Sequence, residues 1–193
     1  MLIYRLNIVF ISFLAIAISA CSDGSSNLSP TVKALSQQDK FCDVVSDYRS
    51  LYFSEKEKAF YIDQKTTLEV IVTERTEKLK SILGNGTVQN WNGTISKILV
   101  SEGKGAFLDV KLPCGTFLEP QDSLIIHIES ELYQKLRKYS ENSQIVFSGN
   151  FIIPPSDDAQ GKYPHEIFYG EKSLTTEGSI KEPEFLFQFT DFH

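Results

Sequence analysis

Two periodicities divide the chain. Between residues 41 and 82 the apolar positions recur every three or four residues: Phe41, Val44, Val45, Tyr48, Leu51 and Tyr52, then Leu68, Ile71, Val72, Leu79 and Ile82. That spacing places them on one face of a helix and predicts a helical region over residues 41–86. Ser54 followed by Glu57 has the form of a capping box that opens a second segment, and Gly84-Asn85-Gly86 ends the pattern. Spacing alone leaves open whether residues 54–82 form one helix or two.

From residue 88 the period becomes two, the repeat of a strand. Residues 88–101 form one long run containing Trp91, Gly93 and Ile95, and the turn Gly103-Lys104-Gly105 returns the chain into residues 106–112. Residues 113–120 read as a loop carrying Cys114, residues 123–129 as a third strand and residues 130–139 as a short helix. The run 144–153, QIVFSGNFII, is apolar on both faces and predicts a central strand. Gly149 inside it leaves room for sharp coiling or for another backbone. A polar excursion over residues 154–182 precedes a last strand at 184–192, where Phe185, Phe187 and Phe189 alternate with Leu186, Gln188 and Thr190.

Strand, strand, strand, helix, strand, strand is the element order of the OB-fold, a five-stranded Greek-key barrel. Residues 87–193 therefore resemble small bacterial OB-fold domains. The blocks Trp91-Asn92-Gly93-Thr94-Ile95, Phe147-Ser148-Gly149-Asn150-Phe151 and Pro183-Glu184-Phe185-Leu186-Phe187 look like a recurrent block in uncharacterised proteobacterial proteins. They are also similar to the anticodon-binding-like OB group. The fold class expected is α+β: an N-terminal helical region, then a five-stranded OB-like antiparallel β-barrel with a short helix between strands three and four. Another small antiparallel barrel or an α+β sheet is the open alternative. The resemblance implies binding of oligonucleotides, oligosaccharides or proteins on the face of strands two and three and the flanking loops; it specifies architecture more than activity.

The first twenty residues read as a signal peptide, with Arg5 in a short positive region and an apolar core over residues 6–18, too short to span a membrane comfortably. Ile18-Ser19-Ala20-Cys21 resembles the bacterial lipobox. In that family the cysteine thiol receives a diacylglycerol, the leader is cut before it and the new amine is acylated. Carried over, Cys21 is the lipidation site, and acyl chains such as palmitate anchor the chain, since each buried CH₂ contributes about 0.8 kcal/mol. An ordinary secretory peptide is the alternative. Ser22 after the cysteine resembles lipoproteins sent to the outer membrane, facing the periplasm, although Asp23 follows it. Residues 21–40, polar and rich in Ser, Asn and Gln, read as a flexible tether.

Composition narrows the partners. The chain of 193 residues carries a formal net charge of −6 and no Lys/Arg cluster, which disfavours nonspecific phosphate-backbone binding and makes nucleic acid an unexpected partner. Besides Cys21 there are two cysteines, Cys42 and Cys114, which form a disulfide in an oxidising compartment or stay as buried thiols. His165-Glu166 lacks a second histidine at metal-site spacing, so no metal and no cofactor is expected. No GxSxG elbow, Walker loop, HExxH or SxxK set is present.

The expectation is a non-catalytic binding module of an envelope lipoprotein, recognising a protein or envelope glycan. Its candidate contact residues are Trp91, which is either a stacking platform or core, and Tyr163, Phe168 and Tyr169 of the long loop. Two alternatives of other classes are an inhibitor or exclusion lipoprotein acting against a hydrolase or phage, and a hydrolase with an unrecognised site.

Overall fold

The computed structural model describes residues 35–58, 64–120, 125–152, 171 and 175–193. The helical period is realised as two helices, α1 (Gln37–Lys58) and α2 (Gln64–Leu83). Helix α1 starts earlier than the spacing implied because Ser36 and Asp39 cap it reciprocally. The Asp39 N–H donates to Ser36 Oγ at 3.1 Å, and the Ser36 N–H donates to Asp39 Oδ2 at 3.0 Å. Residues 37–40 are therefore helix rather than tether. Ser54 and Glu57 lie inside α1, so this pair opens no second helix. Helix α2 stops at Gly84, whose N–H still makes the helical bond to the Lys80 carbonyl at 2.9 Å and whose positive φ of 57° then turns the chain out of the helix.

The remaining elements are β1 (Thr87–Ser101), β2 (Gly105–Lys111), β3 (Phe117–Glu119), β4 (Ile126–His127), α3 (Glu131–Leu136), β5 (Gln144–Phe151), α4 (Thr176–Lys181) and β6 (Glu184–Phe192). The sheet order is β1-β5-β6-β3-β2, and β2 pairs back onto β1, so five strands close into a barrel with β4 attached to the edge of β2. All pairings between named strands are antiparallel except β3 with β6, which is parallel, so the barrel is mixed rather than wholly antiparallel. Strand β1 serves both halves: its residues 87–94 pair with β5 and its residues 94–101 with β2. Register slips between Val88 and Trp91 and between Ile95 and Lys97 give it the extra coil that closure needs.

The third strand differs from the sequence expectation. Residues 113–120 look like a loop because Pro113, Gly115 and Pro120 punctuate them, yet they contain β3. Gly115, at φ 82°, closes a tight reversal in which the Leu112 N–H donates to the Thr116 carbonyl at 2.8 Å. Phe117 then falls opposite Lys111 and Leu118 opposite Val110. Of the run expected at 123–129, residues 125–129 are described, and within them Ile126 and His127 pair with β2, opposite Ala106 and Gly105.

Strand β5 lies between β1 and β6, but it buries one face rather than two: Ile145, Phe147, Gly149 and Phe151 are buried, and Val146, Ser148 and Asn150 stay partly exposed. A Cβ on Gly149 would collide with the Gln188 carbonyl oxygen and the Phe187 ring, so glycine is there for close approach. The barrel interior is filled by Ile95, Leu108, Val110, Leu118, Phe147, Phe185 and Phe187, and the helices add Phe41, Val45, Leu79 and Leu83 to the same core. Tyr48, Tyr52, Ile71 and Ile180 form a second cluster among α1, α2 and α4. Both ends of the barrel are thus occupied. The helical hairpin covers the end where β1 begins and β2 finishes. Helix α3 packs against β4 and the far end of β6, where Lys135 meets Asp191.

Candidate functional site

With helices on both barrel ends, the wall formed by β1, β2 and β3 is the place to look for a binding surface. Its alternation is plain on β2: Leu108 and Val110 are buried, and Phe107, Asp109 and Lys111 point outward. Pairing aligns the neighbours. Leu99 of β1 lies opposite Phe107, Lys97 opposite Asp109, and Phe117 of β3 opposite Lys111. The outcome is a strip with an apolar pair at one end, charged groups in the middle and an aromatic ring at the other. Phe107 and Lys111 are four residues apart, so the strip is about 13 Å long.

Phe107 and Phe117 are half-buried, and Leu99 is 49% exposed. The Lys111 ammonium sits 5.2 Å from the centroid of the Phe117 ring, which holds a cation against the ring's face. Aromatic rings flanked by charges can stack on a flat ligand and orient it by hydrogen bonds. Sequence reasoning missed this strip because Phe107 looks like ordinary strand alternation and Phe117 falls in a stretch that reads as a loop; only the registers of β1, β2 and β3 bring their faces together. The usable signal was Lys111-Leu112 and Phe117-Leu118 straddling a Gly turn, the sign of a hairpin with polar and aromatic residues on its outer face.

Trp91 takes the core role of its two readings. It is 2% exposed, with its ring centroid 5.3 Å from that of Phe41 and 5.8 Å from that of Phe151, so it offers no surface to a ligand. Cys42 and Cys114 come to disulfide distance, with Cα atoms 5.2 Å apart, and join α1 to the turn before β3. Beside them the Arg49 guanidinium donates from Nη2 to the Cys114 carbonyl at 3.1 Å and from Nε to the Ile180 carbonyl at 3.2 Å. Burial, with Arg75 nearby, holds the Arg49 pKa below its ordinary value, against the pull of Glu182. Cys21, Tyr163, Phe168 and Tyr169 lie outside the described residues.

The far end of the long excursion has a structural role. Glu171 bridges to Phe185 and accepts two hydrogen bonds from Arg75 of α2, at 2.7 Å and 3.3 Å. Helix α4, capped by Thr175, buries Ile180 in the tyrosine cluster. Both features tie this segment to the helical hairpin. Among the described residues, no group of three or more His, Cys, Asp or Glu side chains is placed to hold a metal ion, and no helix is long and apolar enough to cross a membrane. Comparison with protein-family models, curated proteins and solved structures returns no match.

Proposed function

We propose that the chain is a lipid-anchored envelope protein whose barrel is a non-catalytic binding module for a protein or envelope glycan. The observation that carries this reading is the solvent-facing strip of Leu99, Phe107, Lys111 and Phe117 on a barrel whose two ends are filled by its own helices. A wall with two aromatic rings and interleaved charges supports recognition. The lipobox at residues 18–21 supports the anchor. The approach of Cys42 to Cys114 supports an oxidising compartment, since two cysteines bonded across the molecule are seldom found in a reducing one.

The test uses the full chain purified from membranes in detergent, screened against arrays of envelope glycans and of peptides. Retention on one class is expected, lost in Phe107→Ala and Phe117→Ala variants that keep the parent melting temperature. No retention on either array, or retention untouched by both substitutions, overturns the reading. Mass spectrometry of the mature chain checks the anchor: acyl mass on Cys21, absent from Cys21→Ala, is expected.

A further inference from the structure

The outer edge of β1 changes character along its length. Through Thr94 it is paired with β5, and the Ile95 N–H still reaches the Ser143 carbonyl at 2.9 Å. At Ile98 the last cover is a side chain: Glu141 Oε1 accepts the Ile98 N–H at 3.2 Å. That bond shows that Ile98 turns its backbone groups away from β2. By the two-residue period of the strand, Val100 does the same. Among the described residues no strand lies beyond Val100 on that side, and Val100 is 69% exposed. Leu99, 49% exposed, flanks it on the outer face, and Ile128, 40% exposed, lies across the β2 turn through its bond to the Lys104 carbonyl.

We infer that the Ile98–Val100 edge of β1 receives an extended, basic peptide segment of a partner protein as an added strand. This rests on the binding-module reading and names the partner class for it. The occupant is polypeptide because what the edge offers is backbone N–H and C=O groups at strand spacing, with apolar side chains on both faces to cover those of an incoming strand. It is basic because acidic groups flank Val100 at both ends, Glu141 at Ile98 and Glu102 beyond Ser101, on a chain of net charge −6. The same groups disfavour a second copy of this chain. Antiparallel pairing about Val100 would set Glu102 of each copy beside Glu141 of the other. As the peptide carbonyl takes the Ile98 N–H, the Glu141 carboxylate is freed to pair with a basic side chain of the peptide.

The experiment titrates the full chain in detergent with a blocked peptide alternating lysine and valine, following fluorescence anisotropy of a labelled copy. Two control peptides accompany it: one N-methylated at alternate amides, and one with glutamate in place of lysine. The parent peptide is expected to bind, and both controls to bind at least about tenfold more weakly, the effect of losing one or two net hydrogen bonds or charge pairs. Val100→Pro, which removes the edge donor at a position where proline is tolerated, is expected to lose the peptide to the same degree with an unchanged melting temperature. Equal binding of the N-methylated peptide, equal binding by Val100→Pro, or no binding at all overturns the inference. So does a dimer that Val100→Pro dissociates, since the edge is then occupied by another copy. Array ligands lost in Phe107→Ala but retained in Val100→Pro would overturn the edge while leaving the module standing.

Discussion

Arg75 and Glu171, 96 residues apart in sequence, meet through a two-point ion pair between α2 and the residue that bridges to Phe185. Arg75 is 1% exposed, and among the described residues Glu171 is the carboxylate paired with its charge. Breaking the pair from one side therefore costs more than the pair itself contributes. Glu171→Ala is expected to destabilise the domain by about 3–5 kcal/mol in urea unfolding, because it strands a buried cation. Arg75→Met leaves the opposite problem. Burial already pushes the Glu171 carboxyl above its usual value, and the guanidinium that pulls it back is gone. A carboxyl whose folded-state pKa is raised contributes stability below its unfolded value and loses it as pH rises through the folded value. The melting temperature of Arg75→Met should therefore fall as pH rises from acid toward neutral, and adding Glu171→Gln should remove that slope.

The Cys42–Cys114 link closes a loop of 72 residues between the first helix and the barrel. Chain-entropy arguments give such a cross-link about 4 kcal/mol of stability, independent of any contact the sulfurs make. Denaturant unfolding of the parent with and without reductant should differ by an amount of that order, and Cys42→Ala/Cys114→Ala should match the reduced parent. Non-reducing mass spectrometry should show the intact chain two hydrogens lighter than its reduced form. Coincident curves with and without reductant would refute the link.

Phe41 is the hinge of the helix–barrel packing, with its ring against those of Trp91, Phe151 and Phe185 at centroid distances of 5.3, 5.7 and 5.9 Å. Phe41→Ala is expected to cost about 3–5 kcal/mol, the usual range for emptying an aromatic site in a core. The chain has a single tryptophan, and it is Trp91, so fluorescence reports on this contact without labelling. The variant's emission should shift to the red while its far-ultraviolet circular dichroism keeps the barrel signature. An unshifted spectrum would mean that other groups shield the indole.

How much of this was legible in the chain depends on whether one element's own pattern sufficed. Gly149 and its alternating neighbours identified β5 as a strand needing close approach, and that approach is present; the second apolar face is not, since Ile145, Phe147, Gly149 and Phe151 are buried while Val146, Ser148 and Asn150 stay partly exposed. The long first strand and the short helix before β5 were equally readable. Strand β3 was not, because three residues between a glycine turn and a proline are too few to show a period. Its place is set by the Leu112–Thr116 reversal and by parallel pairing with β6, which are tertiary facts. The helix start at Gln37 was hidden for a different reason: a single Ser36–Asp39 cap outweighed a polar composition that read as tether. The strip of Leu99, Phe107 and Phe117 belongs to the same class as β3. Leu99 and Phe107 look like ordinary alternation alone and Phe117 like part of a loop, and only the registers of three strands place them side by side.

Lys135 of α3 and Asp191 of β6 form an ion pair at the other end of the barrel. The hydrogen bond from Lys135 holds the Asp191 carboxyl below its usual value, and the same bond holds the Lys135 ammonium above its own. The signs of the two contributions follow separately. A depressed carboxyl adds stability that is present above its unfolded value and lost as pH falls through the folded one. A raised ammonium adds stability that is present below its unfolded value and lost as pH rises through the folded one. Both contributions therefore coexist only across the intermediate pH range, and solvent exposure of the pair keeps them small. Asp191→Asn should lower the melting temperature modestly near neutrality and leave it unchanged at the acid extreme, where the parent's carboxyl is already protonated. Titration of the Asp191 carboxyl carbon by nuclear magnetic resonance should give a midpoint below that of a free aspartate and move toward the free value in Lys135→Met. A carboxyl that titrates normally in the parent chain would show that the pair does not persist in solution, and the anchoring of α3 would then rest on Leu136 and its apolar neighbours alone.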